Sequence, residues 1–230
     1  MRMMLIAGRL HQPSVMGVLA IERAKCTTGD TAGAKLAGPH ATIEDIGSKD
    51  GILMPFLTGL RSLGHPPAFN TITRDTGPYL TASVEGICNV GLKIGVAVDT
   101  LHGAGIFHGD LYAHNILYNE TTAKVLLSDF GAAFQMQAPA AKALFTTIEV
   151  RAYGALLDDL VVGLAPSITA ALSSAEGVVL SQLSRLAGEI LASTLSTRRS
   201  MATLLKQLVK ICDALPAAGA RKKTAGNNPV

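Results

Sequence analysis

Two short motifs near the middle of the chain most constrain what it can fold into. Residues 108–115 have the sequence H-G-D-L-Y-A-H-N, and residues 128–131 have the sequence S-D-F-G. Between them lie two short, mainly apolar runs, residues 116–118 and 124–127, on either side of a polar Asn-Glu-Thr-Thr turn. This pattern predicts a β-hairpin. A hairpin returns the chain on itself, so it brings the two motifs side by side.

The side chains at the open end of this hairpin carry reactive groups. Asp110 and Asn115 are the candidate catalytic residues, with Asp110 as the base that acts on a substrate hydroxyl. Asn115 and Asp129 together offer an amide and a carboxylate, and such oxygen ligands suit a magnesium ion on nucleotide phosphates. His108 is expected to hold the loop backbone by hydrogen bonds. The ordered series of matches favours a functional site over ordinary turn capping.

These motifs resemble the eukaryotic-like protein kinase superfamily. The strings H-G-D-L-Y-A-H-N-I-L, L-S-D-F-G-A-A and E-V-R-A-Y-G are similar to a bacterial branch often described as leucine-rich repeat protein kinases, although this chain has no such repeat. The resemblance runs from about residue 52 to about residue 208. It implies an α+β, protein kinase-like fold that consists mainly of the helical C-terminal lobe, with a reduced N-terminal lobe.

The resemblance also implies roles for individual residues. Asn115 and Asp129 would bind Mg²⁺, and Leu117 would pack under the adenine of ATP. The backbone near Met54 would form the hinge that hydrogen-bonds the adenine edge. The implied cofactors are ATP and Mg²⁺, and the implied partner is a protein substrate.

Two further positions match residues of the kinase C-terminal lobe. Glu149 matches a helix acid that holds the backbone of that loop. Arg198 resembles the arginine late in the C-terminal lobe. The A-P-E motif that usually pairs with this arginine is absent, so the sequence does not identify its partner.

The N-terminal part of the chain departs from the kinase pattern. No G-x-G-x-x-G loop precedes residue 52, and residues 20–22 have the sequence A-I-E where a V-A-I-K motif would place lysine. Gly109 replaces the arginine of H-R-D, and residues 131–149 form a short segment without A-P-E. We expect a protein kinase that transfers the γ-phosphoryl group of Mg·ATP to a protein hydroxyl. The alternatives are a pseudokinase or interaction module without turnover, and an aminoglycoside phosphotransferase-like small-molecule kinase.

Apolar spacing and breakers predict the remaining organisation. Helices are expected over about residues 83–103, 149–163, 168–195 and 200–214, and short strands near residues 15–21 and 52–54. The expected domains are a partial or degenerate N-terminal lobe at 1–52, a kinase-like C-terminal lobe at 53–215 and a disordered tail at 216–230.

The composition of the chain limits which partners and which cellular compartment we expect. The net charge of +3 is small and lies partly in the C-terminal tail, so it gives no case for a nucleic-acid partner. No apolar run is long enough to predict a membrane span. Three cysteines, far apart in sequence, indicate free thiols in a reducing compartment, and we therefore expect a cytoplasmic protein.

Overall fold

The computed structural model describes residues 57–66, 83–164 and 169–216, together with the backbone of two short strands at 20–22 and 51–53. Met54 of the predicted hinge lies outside the described residues, as does nearly all of the predicted tail. Within the described residues, no helix combines the length and the apolar character that a membrane span requires.

Four long helices form most of the described structure. They are α1 (Val84–Gly103), α2 (Pro139–Val162), α3 (Ser174–Leu191) and α4 (Met201–Cys212). The side chain of Ser83 caps α1 by accepting a hydrogen bond from the Gly86 amide, and Ser200 caps α4 in the same way. The predictions for α1 and α4 are therefore confirmed.

The predicted starts of the two middle helices were wrong. Helix α2 begins at Pro139, ten residues before the predicted start at 149, because proline at the first helical position has a backbone angle already suited to a helix. Helix α3 begins at Ser174, later than the predicted start at 168, because Ser173 and Glu176 form a capping box there.

Short strands form small antiparallel sheets in the described residues. They are β1 (Ala20–Glu22) with β2 (Gly51–Leu53), β3 (Arg61–Ser62) with β5 (Ile116–Asn119) and β6 (Lys124–Leu127), and β4 (Ile106–Phe107) with β7 (Phe134–Gln135). In the β5–β6 pair, Ile116 lies opposite Leu127 and Asn119 lies opposite Lys124. This pairing confirms the predicted hairpin, and the mixture of sheets and dominant helices confirms the α+β class.

The core is built around α1, which packs against α2, α4 and β6. Its apolar side chains at Ile87, Val90, Ile94 and Leu101 are completely buried. The hydroxyl of Tyr153 on α2 donates a 2.8 Å hydrogen bond to a backbone carbonyl of α1. Helix α1 ends immediately before β4, which leads into residues 108–115. The core therefore provides a rigid base for that loop.

Candidate active site

The side chain of Asn115 holds Asp110. Asn115 lies in a short 3-10 turn, Ala113–Asn115, and is only 3% exposed. Its Nδ2 donates to the backbone oxygen of Asp110 at 2.9 Å and to Asp110 Oδ2 at 3.0 Å. Asp110 itself is exposed. Because both of these bonds use the amide nitrogen, the Asn115 oxygen is the atom left to face a cation.

The hairpin places Asp129 next to this pair. The backbone nitrogen and the hydroxyl of Ser128 each donate to the Asn115 carbonyl oxygen at 2.8 Å. Asp129 follows in a left-handed conformation, with φ of 54° and ψ of 76°, and its side chain is exposed. Non-glycine residues adopt this region rarely, and such conformations are concentrated at functional sites. One carboxylate oxygen accepts from the Gly131 amide at 3.1 Å.

His108 supports the loop, as the sequence predicts. It is completely buried, and its Nε2 lies 2.8 Å from the backbone oxygen of Ser128. Since that oxygen can only accept, Nε2 carries the proton. The Asp110 amide donates to Nδ1 at 3.3 Å. The ring of Phe130 packs edge-on against His108 with centroids 4.9 Å apart, so this histidine joins the two motifs.

Glu149 on α2 fixes the other side of the loop. One of its carboxylate oxygens accepts from the Gly109 amide at 2.9 Å, and the other lies 2.6 Å from His102 Nε2. Glu149 and His102 are both buried. The prediction that Glu149 holds the loop backbone is confirmed, while the contribution of His102 was missed. No spacing rule indicates this pair, because 47 residues separate its members.

The structure also identifies the partner of Arg198. Its guanidinium donates to the backbone oxygen of Ala143 and to Thr147 Oγ1, the latter at 3.0 Å. Both acceptors lie in the first half of α2. A helix thus takes the place of the absent A-P-E motif.

Leu117 of the predicted adenine pocket lies on β5, opposite Leu126 of β6 and Ser62 of β3. It is half-buried, whereas its neighbours Ile116 and Tyr118 are buried. The alternation of a strand therefore turns Leu117 away from the core face.

The donor set suits a magnesium ion. An amide oxygen from Asn115 and a carboxylate from Asp129 lie at the same end of one hairpin, and both are hard oxygen ligands. Mg²⁺ usually keeps several waters and takes one or two protein ligands together with substrate phosphates. Two protein ligands such as Asn115 and Asp129 are therefore enough to hold a magnesium ion that is also bound to nucleotide phosphates.

Comparison with known families matches the same segment. Residues 89–143 match the model of the lipopolysaccharide kinase (Kdo/WaaP) family, a member of the protein kinase-like superfamily. The protein has a protein kinase-like fold. The matched residues include most of α1, the loop with Asp110, the hairpin and the start of α2. A search of curated proteins finds no significant match.

The match supports a phosphotransferase of the kinase class. The predicted protein acceptor is not supported, and the small-molecule alternative fits better, since the matched family is named for a lipopolysaccharide acceptor. The predicted leucine-rich repeat branch stays a prediction.

Proposed function

We propose that this protein is a carbohydrate kinase, which transfers the γ-phosphoryl group of Mg·ATP to a sugar hydroxyl of a lipopolysaccharide-type acceptor. The observation that carries the proposal is the Asn115–Asp110 hydrogen-bonded pair, which lies beside Asp129 inside the segment that matches the lipopolysaccharide kinase family. The same match favours this family over the leucine-rich repeat branch as the guide to function.

The segment after Asp129 supports a non-peptide acceptor. Residues 130–132 form a 3-10 turn, β7 follows and pairs with β4, and α2 begins at Pro139. Protein kinases display a peptide on a longer loop between these points. Here only nine residues separate Asp129 from Pro139, and five of them lie in the 3-10 turn and β7, so little chain remains to hold a peptide in an extended conformation.

Asp110 acts on the acceptor in this proposal. The Asn115 amide fixes Oδ2 of Asp110, and Oδ1 then accepts a hydrogen bond from the acceptor hydroxyl. The oxygen of that hydroxyl attacks the γ-phosphorus, the bond from phosphorus to the β–γ bridging oxygen breaks, and ADP leaves. The hydroxyl proton passes to the carboxylate of Asp110. Positioning of this kind typically contributes about 10²–10⁴ in rate.

Asn115 and Asp129 hold magnesium in the proposal, and Leu117 and the backbone near Met54 bind the adenine. When bound, the ion neutralises charge on the phosphates of ATP. The Gly131 amide donates to one carboxylate oxygen of Asp129, so the other oxygen is available to face the ion.

A transfer assay tests the proposal. The whole chain is incubated with Mg²⁺, γ-labelled ATP and one of three acceptors: dephosphorylated lipopolysaccharide, casein or kanamycin. We expect label in the lipopolysaccharide sugar. We also expect Asp110→Asn to lower the rate by about 10²–10⁴ without changing the far-UV circular dichroism.

The matched control is Asp213→Asn, which neutralises an exposed carboxylate just after α4. It should leave the rate unchanged. Labelling of casein alone would restore the protein kinase interpretation, and labelling of kanamycin alone would favour an aminoglycoside kinase. No transfer to any acceptor by a folded protein would support the pseudokinase alternative.

A further inference from the structure

A polar contact between Ser62 of β3 and His114 in the loop of Asp110 has no role in the phosphoryl transfer proposed above. His114 lies between Asp110 and Asn115 in sequence and is half-buried. Its Nδ1 lies 3.2 Å from the hydroxyl oxygen of Ser62. The same hydroxyl lies 2.5 Å from the His114 carbonyl oxygen and 2.9 Å from the Gly64 carbonyl oxygen. Strand β3 thereby holds the imidazole ring at a fixed position.

This network determines which ring nitrogen carries the proton. The hydroxyl of Ser62 has one proton, and the two carbonyl oxygens near it can only accept. The proton is therefore directed to a carbonyl, and the Ser62 oxygen must accept from His114. Nδ1 of His114 is consequently the donor. In the neutral ring Nε2 then holds a lone pair, and within the described residues it has no hydrogen-bond partner.

His114 lies in the same short turn as the residue that holds Asp110, the side chain proposed to act on the acceptor. His114 belongs to the 3-10 turn whose last residue, Asn115, binds Asp110 directly. The ring of Tyr112 lies beside the imidazole, with centroids 5.9 Å apart and planes tilted by 32°. An aromatic surface next to a hydrogen-bond acceptor suits a sugar ring, which combines apolar C–H faces with hydroxyl donors.

We infer that His114 determines acceptor specificity: its Nε2 accepts a hydrogen bond from a second hydroxyl of the sugar whose neighbouring hydroxyl meets Asp110. This inference rests on the proposed carbohydrate kinase function. Ser62 is a positioning residue, because it sets the tautomer of His114 and does not touch the sugar. A site built to bond a hydroxyl discriminates strongly against acceptors that lack it.

Two substitutions of His114 separate this role from a structural one. His114→Asn places an amide near the position of Nδ1, so it can keep the contact with Ser62 but removes the distal acceptor. His114→Gln places an amide oxygen near the position of Nε2, so it can keep the distal acceptor but loses the contact with Ser62. A specificity role predicts that the Asn variant is worse, and a purely structural role predicts that the Gln variant is worse.

The experiment measures steady-state kinetics of the whole chain with dephosphorylated lipopolysaccharide, and binding of the core oligosaccharide by calorimetry without ATP. For His114→Asn we expect about a tenfold rise in both the acceptor KM and the oligosaccharide Kd, with an unchanged KM for ATP. His114→Gln should recover most of the acceptor affinity. Ser62→Ala should raise the acceptor KM by a smaller factor, because either tautomer then becomes available.

Each other outcome counts against a particular claim. A normal acceptor KM in His114→Asn, with an active unsubstituted protein, would overturn the role of His114 and leave the proposed function intact. A rise in the KM for ATP alone would assign His114 to the nucleotide and equally overturn the inference. Failure of the unsubstituted protein to phosphorylate or bind any carbohydrate would overturn the proposed function, and this inference with it.

Discussion

Gly109 shows how a single residue sets the shape of the candidate site. Its φ is +80°, and a Cβ atom there would lie 2.5 Å from the backbone oxygen of Ala132. The loop therefore requires glycine for both its conformation and its space. The arginine that kinases carry at this position would not fit without movement of the chain.

Gly109→Ala should accordingly destabilise the protein by about 1–3 kcal/mol and reduce phosphoryl transfer, because the loop of Asp110 must move. The measurement is urea unfolding alongside the transfer assay. The control is Gly188→Ala on α3, where a new Cβ meets nothing within 4 Å. In that variant the free energy of unfolding should rise by about 0.5–1 kcal/mol, because alanine favours a helix more than glycine does. Equal stability of the two variants would contradict this account of Gly109.

Asp129 is the second residue with a specific expectation. We predict magnesium-dependent binding of ATP that is weak, since the sequence contains no G-x-G-x-x-G loop to surround the phosphates. Asp129→Asn should remove most of this binding, because it replaces a charged metal ligand with a neutral one. Calorimetric titration with Mg·ATP measures the effect.

The matched control for Asp129→Asn is Glu120→Gln, an exposed carboxylate at the turn end of the same hairpin. Binding to this variant should equal binding to the unsubstituted chain. Tight binding in the absence of magnesium, or equal binding by the Asp129 variant, would contradict the assignment.

At the scale of elements, α2 supports the site from two positions. Its first half receives Arg198, and Glu149 further along holds Gly109 and His102. One continuous helix thus connects the short segment after Asp129 with the buried core. The core therefore supports the site on this side through α2.

Glu149→Ala should lower the free energy of unfolding by about 2–4 kcal/mol, because it leaves the buried His102 side chain and the Gly109 amide without their acceptor. Glu149→Gln should cost less, since its amide oxygen can still accept from Gly109. Urea denaturation gives the two free energies, and the transfer assay should show the same order of activity. If both variants unfold at the same urea concentration as the unsubstituted protein, Glu149 does not hold the loop.

At the scale of the whole molecule, a buried cysteine thiol and a buried tyrosine hydroxyl connect α1 with α4 and α2. The hydrogen bond with Cys212 on α4 and burial raise the pKa of the Cys88 thiol well above its usual value of 9.0. Burial likewise raises the pKa of Tyr153 above its usual 10.0. Both groups are therefore neutral in the folded protein and ionise more readily when it unfolds.

These raised pKa values predict that the folded protein loses stability as the pH rises. The stability from each neutral group is fully present below its unfolded pKa and is lost as the pH rises above it, first for Cys88 near 9.0 and then for Tyr153 near 10.0. The loss is at most about 1.4 kcal/mol per pH unit for each group. Urea unfolding between pH 8 and 11 should show a shallower decline for Cys88→Ala than for the unsubstituted chain. Parallel declines would contradict this linkage.

Local sequence patterns predicted much of the fold and of the candidate site. The hairpin follows from apolar runs around a polar turn, and the ends of α1 and α4 follow from serine caps, because each depends on neighbours a few residues apart. Motif spacing likewise predicts Asp110, Asn115 and Asp129 as site residues, and the hairpin brings the two segments that carry them together.

Only the tertiary structure decided the contacts between distant segments. Sequence assigned residues 139–148 to a loop, yet they are helical, and Arg198 binds them across 55 and 51 positions. The hydroxyl of Ser62 likewise lies 3.2 Å from Nδ1 of His114, which is 52 positions away in sequence. No local pattern predicts such pairs, since their hydrogen bonds form only after packing has brought separate elements together. The sequence by itself determined the hairpin and the serine-capped helix ends and predicts which groups would carry the chemistry, because these features depend on near neighbours, whereas the packed chain determined how those groups are held.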